Sequence, residues 1–159
     1  MKQAEIIEEV KISFSSDHAK RRFKAIFIRQ GTSQNGNFYS SKILKEAVHL
    51  IKPTLKMYLD HINKPTIRDL VALVIGKSFF KDGAIMGEIL ILDNKILEQA
   101  KRNPESVGLS INAIGDVEFI DGMKVVRKIK KIKSIDFVEQ ASSGGSLVCP
   151  NCGITINNI

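Results

Sequence analysis

Two Asp-Gly pairs, Asp82-Gly83 and Asp121-Gly122, constrain this chain more than any other feature, because each stands between two runs that read as strands. Asp-Gly between apolar runs is the strongest short-range signal for a tight hairpin. The first pair, preceded by Lys81, turns the apolar, β-branched run Leu70 to Phe80 back into Ala84 to Leu92, with a bulge expected at Gly76. The second turns a strand that begins near Val107 and extends to Ile120 back into Met123 to Val138. Phe23 to Ile28 and Leu55 to Leu59 read as further strands, and Val10 to Phe14 is a short apolar stretch. Gly31 to Asn37 is dense in turn formers and reads as a loop.

Two helices complete the pattern. Ser40 or Ser41 can cap the first, in which Ile43, Leu44, Ala47, Val48 and Ile51 form one apolar stripe and which Pro53 ends. Asp93 can cap the second, from Asn94 to about Arg102, with Ile96, Leu97 and Ala100 facing inward and Pro104 beyond its end. Hairpins dominate and no βαβ rhythm is present, so the expected class is α+β and mainly β. The expected architecture is an antiparallel β-barrel of about seven strands with the helices packed around it. At 159 residues, 43% of them hydrophobic, one domain with a real core is expected. We place it at residues 1–145, followed by a C-terminal tail, 146–159.

The formal net charge of +7 raises the question of nucleic acid. The basic residues are dispersed except at Lys20-Arg21-Arg22 and at Arg127, Lys128, Lys130, Lys131 and Lys133. The second cluster alternates with Val126, Ile129 and Ile132, as in a strand with a solvated cationic face. Nothing aromatic is interleaved to stack bases, so no dedicated nucleic-acid site is expected. No run approaches the roughly 18–20 apolar residues of a membrane span. The N-terminus is too acidic for a signal peptide, which predicts an intracellular protein without disulfides. Cys149-Pro150-Asn151-Cys152 is half of a zinc knuckle, but there is no other cysteine. A tetrahedral site needs two more ligands, so neither a metal nor any other cofactor is expected.

Side chains able to do chemistry are few. In Val107 to Asp116 the alternation puts Val107, Leu109, Ile111 and Ala113 on one face of a strand and Ser110 and Asn112 on the other. Ser110 is the candidate nucleophile, although its surroundings do not follow the Gly-x-Ser-x-Gly turn of an α/β-hydrolase. The histidines are His18, His49 and His61. His49 falls within the first helix and His18 in a basic turn. His61 stands where a strand becomes a loop, a place from which a rigid element can hold a side chain over a cleft.

From Phe23 to Gly145 the chain resembles the prohead maturation proteases of tailed phages, which share a fold with the herpesvirus assemblins. The resemblance rests on Gly31-x-x-x-Asn35-Gly36-x-x-Tyr39 before a helix and on Met57-Tyr58-Leu59-Asp60-His61 before an apolar strand. Gly108-Leu109-Ser110-Ile111 follows, then Ser134-Ile135-Asp136-Phe137-Val138 with Ala141 and a glycine pair beyond it. It implies a serine endopeptidase with Ser110 as nucleophile and His61 as base. It places the third member on the Ser134 to Val138 strand. Ser134 aligns with the position where related enzymes carry the third member, whereas the carboxylate is Asp136, on the same strand face; Asp136 is preferred because a carboxylate stabilises an imidazolium. Asp60 would point to the opposite face, and Glu139 is a more distant substitute.

The resemblance further implies oxyanion donors in the loop Ala141 to Ser146, around Ser143, Gly144 and Gly145. Scaffold and capsid proteins would be the substrates, self-association is expected, and the site of action would be the assembling prohead in the host cytoplasm. Such proteases often cut after Glu two positions beyond an aliphatic residue, a pattern met by Ile6-Ile7-Glu8 and Ile96-Leu97-Glu98. The reading from another class is a non-catalytic assembly or scaffold-binding module with the same fold. A small basic nucleic-acid-binding barrel comes third.

Overall fold

The computed structural model of the chain describes residues 19–139 and 143–148. Val10 to Phe14, His18, Glu8 and the two cysteines, Cys149 and Cys152, lie outside them. The strands are β1 (Arg22–Arg29), β2 (Gly31–Thr32), β3 (Asn37–Tyr39), β4 (Lys56–Tyr58), β5 (Leu70–Lys81), β6 (Ala84–Ile91), β7 (Gly108–Ile120), β8 (Met123–Val138) and β9 (Gly145–Leu147). The α-helices are α1 (Ser41–Ala47) and α2 (Asn94–Arg102).

Among the described residues the strands form one sheet in the order β2-β3-β8-β7-β9-β1-β6-β5-β4. This corrects the expected barrel of about seven strands in two respects. The described residues hold nine strands, because β2, β3 and β9, short segments rich in Gly, Ser and Asn that composition reads as loops, are recruited by pairing with neighbouring strands. The sheet is open and mixed instead of closed and antiparallel. Strand β3 runs parallel to β8, and beyond β4 the chain meets β8 at a single bridge, Leu59 with Phe137, where closure would need a ladder.

Both Asp-Gly pairs form the turns that their sequence predicts. Asp82 and Gly83 have φ of 50° and 77°, Asp121 and Gly122 of 49° and 79°, two successive left-handed residues in each case. Gly76, with φ of 66°, lies in the irregularity between Ile75 and Phe79 where β5 departs from β6, as expected. The helices start where their caps stand. The Ser40 hydroxyl accepts from the Ile43 N–H and the Asp93 carboxylate from the Ile96 N–H. Helix α1 is shorter than its apolar stripe and tightens into a 3-10 turn at Val48–Leu50.

Strands β7 and β8 carry the longest pairing. β8 has 16 residues against 13 in β7, and the difference is taken up by three bulges. The extra residues are Arg127, Lys130 and Lys133, all on β8 and all basic. β7 therefore keeps a two-residue rhythm, whereas β8 buries Val126, Ile129, Ile132 and Ile135 at a three-residue spacing. Each bulge adds twist and bends the strand, so the hairpin coils over the core. The larger of two buried clusters runs from Phe23, Ala25 and Phe27 of β1 through Ile43, Leu44 and Ala47 of α1 to these β8 residues.

Candidate active site

Ser110 in β7 lies directly opposite Asp136 in β8. Residues opposed across an antiparallel pair project from the same face, so nucleophile and carboxylate stand side by side. Their neighbours Leu109 and Phe137 turn the other way and are fully buried, at 1% and 2% exposed.

His61 reaches this face by another route. Beyond β4, the Asp60 N–H donates to the Phe137 carbonyl at 2.8 Å, and Asp60 then takes φ of 58°. The Ile62 N–H closes the reversal on the Asp60 carbonyl at 3.1 Å. Aspartate is one of the few residues that tolerate this left-handed conformation. Extending strand periodicity through Asp60, as the sequence suggests, therefore misses the turn that brings the imidazole over β8.

The three side chains form a chain of contacts. His61 Nδ1 lies 2.6 Å from Asp136 Oδ2, and His61 Nε2 lies 3.1 Å from Ser110 Oγ. A carboxylate only accepts, so Nδ1 carries the proton and Nε2 of the neutral ring is left to accept from the serine hydroxyl. Asp136 is 1% exposed while the His61 side chain is 45% exposed, which leaves one flank of the imidazole open to solvent. A buried carboxylate is tolerated only when its oxygens are hydrogen-bonded, and Asp136 Oδ1 accepts the backbone N–H of Tyr58 at 3.4 Å. The Tyr58 phenol is pushed above its ordinary value by burial, and further by the negative charges of Asp136 and Asp69. Ser134 is buried opposite Asn112, and among the described residues no hydrogen bond joins it to His61. His49 is exposed in the 3-10 turn after α1, and Asp60 and Glu139 are exposed as well.

Ala141 and Ser142 of the expected oxyanion loop lie outside the described residues, and the rest of it, from Ser143, reaches the same place. Gly145 pairs with Leu109, the residue before Ser110, and is wedged so tightly between β7 and β1 that a Cβ would lie 2.8 Å from the Phe27 carbonyl oxygen. Ser146 and Leu147, placed in the tail by the sequence, continue this strand. Gly144 adopts φ of 69°. Sequence reasoning passed over one residue here, Arg29 at the end of β1. Its backbone N–H donates to the Ser143 carbonyl at 2.9 Å and its Nε to the Gly144 carbonyl at 3.3 Å. Burial pushes the guanidinium below its ordinary value. The only sequence signal is a cation ending an apolar strand just before a turn-rich segment. Among the described residues no three His, Cys, Asp or Glu side chains converge as a metal would require, and no helix is long and apolar enough to cross a membrane.

No family profile matches the chain, and no curated protein sequence does. Among solved structures it is similar to the bacteriophage T4 capsid assembly protease gp21, with a TM-score of 0.60 at 15% identity over 74% of this chain and 80% of that one. The chain has the fold of a phage prohead protease, the fold that its sequence resemblance implies.

Proposed function

We propose that this chain is a serine endopeptidase that cleaves scaffold and capsid proteins during phage prohead maturation, with Ser110 as nucleophile, His61 as general base and Asp136 as the orienting carboxylate. The observation that carries it is the pair of contacts at His61, 2.6 Å to Asp136 and 3.1 Å to Ser110. A serine hydroxyl attacks a peptide carbonyl only if its proton is taken as the bond forms, and Nε2 is within reach to take it and later to pass it to the leaving amine. Asp136 fixes the tautomer and stabilises the imidazolium once the ring is charged. The tetrahedral oxyanion needs donors fixed in place beforehand, and the Ser143, Gly144 and Gly145 segment, next to Leu109 and braced by Arg29, is the part of the chain suited to supply them.

The likeness to a capsid assembly protease supports the prohead setting, and the scaffold and shell are the substrates that such a setting offers. A fluorophosphonate probe tests the chemistry. It should label the wild-type protein at Ser110, and Ser110→Ala or His61→Ala should each remove about 10⁴-fold or more of the peptidase activity, with the double variant little worse than either alone. A folded wild-type protein that takes no label would instead favour the non-catalytic assembly module.

A further inference from the structure

At the end of the β7-β8 pair, a few residues along the chain from Ser110, His61 and Asp136, lies a cavity of about 340 Å³ whose walls include Leu59, Ile96, Val107, Phe137 and Val138 and whose charged lining groups are Asp60 and Glu139. We propose that it is a specificity subsite for a substrate side chain with an aliphatic stem and a terminal cation, lysine or arginine, within two residues of the scissile bond. The proposal rests on the reading of Ser110 as nucleophile.

Position is the first argument. None of the three catalytic side chains lines the cavity, but it adjoins them along the chain: Asp60 immediately precedes His61 and Val138 follows Asp136 by two residues, while Val107 and Phe137 line it from the other strand face. Two residues along a strand is one step on the same face, so Val138 continues the face that carries Asp136, and Gly108, opposite Val138, leaves that face bare on the β7 side. An extended peptide whose carbonyl is at Ser110 advances about 3.3 Å per residue, so a side chain two positions from the scissile bond is offset by the same step that separates Val138 from Asp136.

Chemistry is the second argument. The apolar walls fit a methylene stem, and long basic side chains bury such stems while keeping the charged head at a polar rim. The lining contains two carboxylates and no cation. Neither Asp60 nor Glu139 forms a side-chain ion pair among the described residues, so neither charge is neutralised from within. A substrate glutamate in this cavity would meet two like charges. If the enzyme also reads a glutamate, as the resemblance implies, it does so at another position.

The test uses quenched-fluorescent peptides in which lysine, arginine, norleucine and glutamate are scanned through the two positions on either side of the cut. At one position lysine and arginine should be cleaved faster than norleucine by about two- to fivefold, with glutamate slowest, as for a partly exposed ion pair. The preference should shrink as salt rises. It should also collapse to about onefold in Asp60→Asn/Glu139→Gln; asparagine tolerates the left-handed backbone at position 60 and keeps the turn before His61. Equal rates for all four residues at every position, a preference for glutamate at each, or a protein that takes the serine probe but cuts no peptide of the set would overturn the subsite. A wild-type protein that takes no probe overturns the catalytic reading itself, a distinct result.

Discussion

Asp136 shows how far single residues were legible. Choosing it over Ser134 required only that a carboxylate stabilises an imidazolium and that residues two apart share a strand face. The structure puts Asp136 against His61 and Ser134 against Asn112. The Tyr58 N–H on Asp136 and the two bonds from Arg29 to the glycine loop were not legible, because these contacts join positions far apart in the chain and use backbone donors or acceptors that carry no residue-type signal. We expect Asp136→Asn to lower kcat by about 10⁴-fold, since the amide favours the wrong tautomer and stabilises no imidazolium. Ser134→Ala, compared at equal thermal stability, should cost less than about tenfold. Steady-state kinetics on a peptide substrate decides, and a larger loss at Ser134 would reverse the assignment.

At the level of elements, the sequence was most informative where turn chemistry is strict. Both Asp-Gly hairpins and the Asp93-capped helix α2 stand within a residue or two of their expected limits. The short strands β3 and β9 exist only because long neighbours pair with them, and β2 only because it pairs with β3, so no local pattern could announce them. In β8 the apolar residues looked like part of an alternation, yet Val126, Ile129 and Ile132 repeat every three residues, and three bulges reconcile that repeat with a strand. Gly115 faces the middle bulge, where a Cβ would run into the Lys128 carbonyl oxygen. Gly115→Ala should therefore destabilise the protein by about 1–3 kcal/mol, seen as a lower Tm in thermal unfolding. Helix α2 bears on self-processing. Glu98 sits inside it, and a hydrogen-bonded helix enters a protease cleft only after local unfolding, whereas a terminus opens at little cost. On prolonged incubation the wild-type chain should lose residues 1–8, with Glu98 intact and Ser110→Ala untouched. Intact-mass spectrometry reads all three, and equal trimming of both proteins would assign the cut to a contaminant.

For the molecule as a whole, hairpin order and helix placement specified a mainly β chain with helices against the sheet but left closure open. Closure depends on whether β4 meets β8 along a ladder or at the one bridge found, a matter of a few hydrogen bonds between residues about 80 apart in sequence. The long hairpin settles something that the outline of the sheet does not. Counted back from the Asp121-Gly122 turn with no extra residues, Ser110 would stand opposite Lys133, and the three bulges move its partner to Asp136. β7 and β8 thus act as the two scales of a vernier, graduated in twos and threes, and nucleophile and carboxylate coincide only at the right count. Deleting Lys130 removes the extra residue and its bulge together, so Ser110 should stay opposite Asp136 and probe labelling should persist. Loss of labelling in a folded Lys130 deletion would show instead that the bend of the bulge, and not the pairing register alone, holds nucleophile and carboxylate together.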